Sequence, residues 1–193
     1  MSRQTDGRLR RSERTRAAIV EAHETLLRSG TLRPTAQQIA GVAGVSVRTL
    51  WSNFGDMDSL LQATVDRWFE SDDDLRIEID PELPLEERIA LFCAERERRL
   101  VNIAPAARSA ALFEPDSEIL QRSRARHVGR VVEDVRRVFA QEIDAADDPD
   151  RLADALAAVV SWNAWSLMTD DLGRSPDQTR TSMALTLSAL LRR

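Results

Sequence analysis

Apolar residues recur along the chain at intervals of three and four positions, the spacing that places side chains on one face of an α-helix. No stretch alternates between apolar and polar residues for long enough to predict a strand. The first helix is expected from about Ser12 to Arg28, with Gly30 following as a stop signal. Its inward positions are Ile19, Ala22, His23, Leu26 and Leu27. The pattern predicts an all-α protein.

Two short helices are predicted next. Thr35 is a favourable N-cap, and Gln38 three residues later completes a capping box for a helix of about two turns. Gly44 fits a tight turn, because glycine adopts a left-handed backbone without strain. Ser46 then caps a helix that extends to about Asn53. Two short helices joined by a three-residue turn have the spacing of a helix-turn-helix.

Helical spacing also separates the inner and outer sides of this pair. The residues expected inside are Ile39, Val45, Leu50 and Phe54. Ala40 is small, as it must be where two helices cross closely. The residues left on the outer side of the second helix are Arg48, Thr49, Trp51, Ser52 and Asn53.

The remainder of the chain is predicted to form longer helices. A fourth helix runs from Asp56 to about Glu70, and the acidic stretch 71–84, with two prolines, forms its end and a linker. Five further helices are expected over about residues 85–102, 105–114, 117–144, 149–171 and 176–192. Two of their starts are marked by a capping residue directly before a first-turn proline, at Asp148-Pro149 and Ser175-Pro176.

One segment is unusual in its charge. From Thr25 to Gly55 there is no Asp or Glu, although the chain has 32 of them in 193 residues; a window of that length should hold about five. A carboxylate near a phosphate backbone is repelled, whereas hydroxyl, amide and guanidinium groups can donate hydrogen bonds to phosphates or base edges. The missing acids are what contact with DNA would select.

Charge is also divided between the two ends. Residues 1–50 hold 9 Arg and 4 acidic residues, and the other 143 hold 18 Arg and 28 acidic residues, for a net charge of −5. A basic start on an acidic body indicates a polyanionic partner at one end. Five arginines serve either as a solubilising tail or as phosphate or minor-groove contacts: Arg8, Arg10, Arg11, Arg14 and Arg16.

Composition argues against several other classes. Cys93 is the one cysteine, so an internal disulfide is excluded. Since the chain has only two histidines in addition, a Cys/His zinc site is not expected. No metal or other cofactor is predicted, and the reducing cytoplasm is the expected compartment. No apolar run is long enough for a membrane span. A Gly-rich phosphate loop, a nucleophile elbow and a usable His/Asp/Ser set are missing, so no catalytic residue is assigned and an enzyme is not expected.

The N-terminal part resembles the TetR family of transcriptional regulators. The resemblance covers RTRAAIVEAHETLLRSGTLRPTAQQIAGVAGVSVRTLWSNFGDMDSLL, residues 14–61, with an IA…AGVS…TL…F core and a glycine and an acid at the start of the fourth helix. The later stretch WNAWSLMTDDLGRSPDQTRTSMALTLSALL is more weakly similar to the last two helices of many members. The resemblance implies an all-helical homodimer. Its three-helix head would bind a palindromic operator in double-stranded DNA through a helix-turn-helix, and its C-terminal helical bundle would bind a small-molecule effector and form the dimer.

This resemblance implies three regions: a flexible basic arm (residues 1–11), a DNA-binding domain (12–55) and a ligand-binding and dimerisation domain (56–193). The DNA-facing positions it implies are Thr35, Gln37, Ser46, Val47, Arg48, Thr49, Trp51 and Asn53. Trp51, Asn53 and Met57 stand where Tyr, His and Lys are common in the family. These differences alter the expected phosphate contacts but do not alter the expected docking mode. Val47 can offer a thymine methyl only apolar contact.

Alternatives stay open for two of these positions. Arg48 either contacts DNA or is a solvated surface residue. Trp51 either faces DNA or packs on the first helix, since large aromatic side chains are more often structural.

A second group of residues is assigned to an effector pocket: Trp68, Phe92, Phe113, His127, Trp162 and Trp165. At helical spacing the aromatic ones are core residues first, yet inward aromatics in a helical bundle also build small-molecule pockets. His127 is either a satisfied core histidine or an effector contact. Cys93 is expected to be buried and unreactive. The acidic run 72–74 is expected to be a solvated helix end and not a metal site.

The dimer interface is expected on the last two helices. Its predicted residues are Trp162, Trp165, Leu167, Met183, Leu187, Leu190 and Leu191. The fourth helix is the expected lever between head and body, and the expected activity is ligand-released repression. A rival hypothesis is a helical small-molecule-binding or adaptor protein without specific DNA binding, which the acidic composition favours.

Overall fold

A computed structural model describes the backbone of residues 2–192 and the side chains of residues 10–192. Within this range every regular element is helical and no strand occurs, which confirms the predicted all-α class. The helices are α1 (Ser2–Arg28), α2 (Ala36–Val42), α3 (Val47–Phe54), α4 (Met57–Asp73), α5 (Leu85–Ala110), α6 (Glu118–Val138), α7 (Ala140–Asp144), α8 (Pro149–Val159), α9 (Trp162–Ser166) and α10 (Pro176–Leu191). A 3₁₀ turn (Glu114–Asp116) precedes α6, and a π-helical turn (Leu167–Asp171) follows α9.

The chain divides into two compact units. Unit 1 contains Met1–Ser71 and Ala104–Gln121, and unit 2 contains Asp72–Ile103 and Arg122–Arg193. The boundaries between the two units lie inside α4, α5 and α6 and not in the loops that connect helices.

Unit 1 has an apolar core where α1, α2 and α3 pack on one another. Ile19 of α1, Ile39 of α2 and Leu50 of α3 are fully buried at its centre. Phe54 and Ala40 complete it, as helical spacing predicts, and Val45 is partly buried against it. Burying side chains of this size stabilises a fold by about 1.5–3 kcal/mol each, so three helices of which two are very short can hold one another in place.

A buried polar pair lies beside this core, between α1 and α4. His23 Nδ1 is 2.9 Å from Thr64 Oγ1, and the Thr64 hydroxyl itself donates to the Leu60 carbonyl. Because the hydroxyl hydrogen is used there, Nδ1 of His23 must be the donor. Burial lowers the pKa of His23 to about 4.

Unit 2 is built on contacts of α8 with α7, α9 and α10. The side chains that α8 buries are Leu152, Ala153, Leu156 and Ala157. From α10, Met183, Leu187 and Leu191 are buried. The capping box that Ser175 and Gln178 are predicted to form at the start of α10 is present.

A buried ion-pair network lies in the same unit, centred on Arg99 of α5. The Arg99 side chain is 1% exposed, and its guanidinium donates to Asp72 at the end of α4, to Asp134 of α6 and to Glu95 one turn earlier, over 2.8–3.1 Å. Arg130 of α6 also pairs with Asp72, and Arg76 pairs with Asp134. Three segments of the chain therefore meet at one cation.

The network changes the ionisation of its members. Burial raises the pKa of Asp72 and of Asp134, but hydrogen bonds from Arg99 and the positive charges around them outweigh burial and hold both pKa values below the ordinary range. Burial lowers the pKa of Arg99, and its two aspartate partners more than reverse this. Asp72 is thus 2% exposed, which corrects the expectation of a fully solvated acidic helix end.

Several helix boundaries differ from the prediction. α1 begins at Ser2, so residues 2–11 are helical where a flexible arm is expected; the segment has no proline and is rich in Arg, a good helix former. α5 continues through Pro105, where a break is predicted, although the proline removes one N–H donor from this 26-residue helix.

Two long predicted helices are instead broken. The segment 117–144 breaks at Phe139, whose fully buried ring packs edge-to-face on Phe92 at 5.3 Å. The segment 149–171 breaks at Val160, whose carbonyl accepts a 2.9 Å hydrogen bond from Nε of Arg96. Both breaks follow from tertiary contacts that the local sequence does not reveal.

Replacement of His23 by Gln should flatten the dependence of stability on pH. The unfolded histidine binds a proton near pH 6.5 and the folded one only near pH 4, so the stability present above pH 6.5 is lost as the pH falls toward 4. Between pH 7 and pH 5 the wild type should lose about 2 kcal/mol more than His23→Gln. Urea unfolding at both pH values measures the difference; parallel losses would contradict a buried neutral His23.

Replacement of Arg99 by Met should lower the free energy of unfolding by about 3–5 kcal/mol, because three buried carboxylates then lose their shared cation. The matched control is Arg98→Met, which removes the exposed neighbouring charge and should cost about 0.5 kcal/mol or less. Chemical denaturation of the two variants checks both values. Equal stability of the two proteins would show that the network contributes nothing to folding.

Candidate functional site

The capping box predicted at the start of α2 is present. The Thr35 side chain accepts a hydrogen bond from the backbone N–H of Gln38, and the Gln38 side-chain oxygen accepts one from the backbone N–H of Thr35 at 2.9 Å. These two hydrogen bonds satisfy the backbone N–H groups of Thr35 and Gln38 at the start of the helix. Thr35 and Gln37 are exposed here, as expected for residues that face a partner.

The turn between α2 and α3 ends α2 with a Schellman arrangement. The N–H of Val45 donates to the carbonyl of Ala40 over 2.9 Å, and the N–H of Gly44 donates to the carbonyl of Gly41 over 3.2 Å. Gly44 has φ +67°, a conformation that other residues adopt only at a cost. This turn sets the direction in which α3 leaves α2.

Ser46 fixes the start of α3. Its hydroxyl accepts a hydrogen bond from the N–H of Thr49 over 3.0 Å, as the sequence predicts for an N-cap. Leu50 and Phe54 then face inward, and Arg48 and Ser52 lie on the exposed side. The short helix is therefore held by one cap and two buried side chains.

The exposed side of α2 and α3 carries no negative charge. No acid lies in the first turn of either helix, and none occurs between Thr25 and Gly55. The positive end of the α3 dipole is consequently left without a carboxylate. The Arg48 guanidinium is exposed and has no hydrogen bond or ion pair with another described residue. Hydroxyls, an amide, one free cation and backbone N–H groups therefore share one face.

Two of the residues predicted to face DNA lie differently. The side-chain amide of Asn53 donates to the Thr49 carbonyl over 2.8 Å and accepts from Ser12 of α1, and its backbone carbonyl accepts from Arg16. Asn53 thus joins α3 to α1, so its side chain is already used inside unit 1. Trp51 is half-buried against the apolar core, in keeping with the structural alternative for this residue.

Arg16 strengthens the same junction. Its guanidinium lies 4.0 Å from the centre of the Phe54 ring while it donates to the Asn53 carbonyl over 2.7 Å. A cation over an aromatic face contributes about 0.5–1 kcal/mol at an exposed site. One of the five clustered N-terminal arginines therefore has a structural contact at the end of α3.

Comparison with known proteins identified no relative of this chain. No protein-family model, no curated protein and no solved structure matches the chain. The similarity to TetR-family regulators remains a resemblance carried by residues 14–61.

The residues predicted for an effector pocket fall in both units. Trp68 and Phe113 belong to unit 1, and the others, Phe92, His127, Trp162 and Trp165, belong to unit 2. Phe113 is 40% exposed, with the Arg33 guanidinium 5.1 Å from its ring centre. Trp68 is buried under Arg28. In unit 2, the rings of Trp162 and Trp165 lie 5.4 Å apart.

His127 has a partner that the sequence does not reveal. Nη2 of Arg96 donates to Nε2 of His127 over 3.2 Å. Since a guanidinium can only donate, Nε2 must be the acceptor and the imidazole neutral. Burial, followed by the charge of Arg96, lowers the pKa of His127 to about 4. The signal for Arg96 is its spacing: it follows Phe92 by four residues and precedes Leu100 by four, on the buried face of α5.

Most of the predicted dimer face packs inside the chain. Trp165, Met183, Leu187 and Leu191 are 0–7% exposed. A stripe of apolar residues can serve a partner or the chain's own core, and these four side chains pack in the core of unit 2. Leu167 is 51% exposed, and Trp162 and Leu190 are half-buried. The exposed side of α10 carries Leu185, at 72%.

Two further properties concern the described residues 2–192. None of their helices is both long enough and apolar enough to cross a bilayer. No three of their His, Cys, Asp or Glu side chains are arranged to hold a metal ion. Cys93 is buried, and burial raises the pKa of its thiol to about 12, so it is an unreactive core residue.

Replacement of Ser46 by Ala should lower the free energy of unfolding by about 1 kcal/mol, because the N–H of Thr49 loses its acceptor. Ser46→Asp should keep the wild-type stability, since aspartate is an equally good N-cap. Urea denaturation of the three proteins checks the order. An alanine variant as stable as the wild type would contradict the role of Ser46 in holding α3.

Proposed function

We propose that the protein is a sequence-specific DNA-binding transcriptional regulator, a repressor that a small-molecule effector releases from a palindromic operator. The observation that carries the proposal is the acid-free exposed face of α2 and α3, on which the Arg48 guanidinium has no partner among the described side chains. Such a face is unexpected by chance in a chain with 32 carboxylates. A groove lined by phosphates would require it.

The local geometry supports a helix-turn-helix. Two short helices, a Schellman turn at Gly44 and a capped second helix on a common core are what this motif needs. α3 would enter the major groove with Ser46, Val47 and Arg48 at its leading end. Arg48 would donate to a guanine edge or a phosphate, and Thr35 and Gln37 would contact the flanking backbone.

The protein would act as a homodimer. Two copies of α3 would then occupy half-sites separated by about one helical turn of DNA or a multiple of it. Three exposed leucines of the C-terminal elements, Leu167, Leu172 and Leu185, are apolar groups available for this contact. They replace the buried residues that the sequence alone favours.

Effector control would work through α4. This helix is uninterrupted from Met57 to Asp73; it starts shortly after α3 ends, and its last residues, including Asp72, belong to unit 2. A ligand that prefers one placement of α4 would change operator affinity by the difference in its binding energy, typically about 1–3 kcal/mol.

One observation favours a second candidate function. The net charge of −5 and the pI of about 5.2 are unfavourable for binding a polyanion. A helical small-molecule-binding or adaptor protein without specific DNA binding would have no such conflict. Selection from random duplexes, followed by binding across a salt series, separates the two functions.

Replacement of Arg48 by Ala should weaken binding to the selected duplex by about tenfold or more, because one direct contact is worth about 1–3 kcal/mol. Arg174→Ala, which removes an exposed arginine before α10, is the matched control and should bind as the wild type does. Fluorescence anisotropy measures both affinities. If no duplex is selected, or if Arg48→Ala binds unchanged, the regulator hypothesis fails.

A second pair of variants separates charge from folding. Ser46→Asp keeps the α3 cap but places a carboxylate on the acid-free face, so it should bind the selected duplex far more weakly at unchanged stability. Ser175→Asp makes the same change at the N-cap of α10 and should leave DNA affinity unchanged. Equal affinities for the two aspartate variants would show that the face of α3 does not meet phosphates.

A further inference from the structure

Arg96 of α5 is a buried cation with an unused donor. Its side chain is buried within unit 2, where Nε donates to the carbonyl of Val160 and Nη2 donates to His127. The remaining nitrogen, Nη1, is buried and has no hydrogen-bond partner among the described residues. A guanidinium nitrogen left in this state is unfavourable, because the loss of its hydration is not compensated and the group is charged.

The neighbouring carboxylates do not accept a hydrogen bond from Nη1 of Arg96. Asp72, Asp134 and Glu95 all hydrogen-bond to Arg99, and neither Arg96 nitrogen that is bonded reaches a carboxylate. The acids act on Arg96 only through space and against the repulsion of Arg99. The Arg96 guanidinium thus has no hydrogen-bonded anionic partner among the residues that the structure describes.

We infer that Nη1 of Arg96 binds the carboxylate of a small organic acid, beside His127. The side chain of His127 is half-buried, and its neutral Nε2 orients the guanidinium by accepting from Nη2. A carboxylate would supply the hydrogen-bond acceptor that Nη1 lacks, and its negative charge would pair with the Arg96 guanidinium.

The surroundings select the class of ligand. The residues one turn from Arg96 on the same face of α5, Phe92, Cys93 and Leu100, are buried and apolar, as is Val160. One free guanidinium nitrogen matches a single negative charge, and a multiply charged phosphate would leave charge unpaired among apolar groups. An aliphatic or aromatic monocarboxylic acid satisfies both conditions.

This inference rests on the proposed function in one respect only: the acid would be the effector of the regulator. The link is physical, because Arg99, three residues after Arg96, holds Asp72 at the end of α4. Binding of an acid and binding of DNA are measured separately, so each can fail without the other.

The test compares acids with their amides. Thermal unfolding and calorimetric titration of the full chain at pH 7 would use butyrate, hexanoate and benzoate, each against butyramide, hexanamide and benzamide, with chloride keeping sodium constant. At least one acid should raise the unfolding midpoint while its amide does not. If every acid behaves as its amide or as the chloride it replaces, the site does not take a carboxylate and the inference is overturned.

Variants then locate the site. Arg96→Met should bind the stabilising acid about tenfold more weakly or worse, because a charge-assisted hydrogen bond is lost. Arg96→Lys should retain part of the affinity, and Arg98→Met, an exposed change on the same helix, should bind as the wild type does. Unchanged affinity in Arg96→Met would place the acid elsewhere. If Arg96→Met does not fold, Arg96→Lys decides: an affinity equal to that of the wild type overturns the assignment.

Discussion

The guanidinium of Arg99 is the constraint on which unit 2 depends. It is nearly inaccessible to solvent, and carboxylates from α4, α5 and α6 lie within hydrogen-bond distance of its nitrogen atoms. Three buried carboxylates would repel each other without it, and a buried cation would be as costly without them. The interaction is therefore a requirement for one arrangement of these helices more than a source of net stability. Arg88 adds a second buried tie, bonding the Val138 carbonyl and Glu142.

Unit 1 solves its folding problem by other means. Its short helices are held by an apolar core and by caps that satisfy their terminal backbone groups. Polar contacts such as that of His23 with Thr64 and that of Arg16 with Asn53 lie beside this core. A helix of seven or eight residues has little stability of its own, so the direction of α3 is set by Leu50, Phe54 and the turn at Gly44. The opposite, exposed face of α3 is therefore not needed to hold the helix in place.

The parts that could be predicted from the sequence are those decided within a few residues. Both capping boxes, the glycine turn and the inward residues of α2 and α3 depend on local spacing, and all are present. The positions that could not be predicted depend on what lies across the core. Phe139 ends a helix because its ring packs on Phe92, and Asn53 turns toward α1 because Ser12 and Arg16 are there.

The same limit applies in unit 2. Met183 and Leu187 have the spacing of an interface stripe, but that spacing is equally satisfied by the chain's own core. The charged run at residues 95–99 has the composition of a solvated surface, whereas three of its five residues are buried because they share a face with Phe92 and Leu100. Residue type predicts burial on average; a buried charge needs a specific partner, and only the tertiary structure identifies it.

Carboxylates are distributed in the two units according to opposite demands. In unit 2 they are needed inside, because buried arginines must be paired, and the one arginine that they do not reach is the one with an unused donor. On the exposed side of α2 and α3 they are excluded altogether. In an acidic protein, long-range repulsion from DNA is screened over about 8–10 Å at ordinary salt, so what decides contact is the charge of the surface that comes closest. An acid-free face can therefore bind a polyanion although the whole molecule is negative.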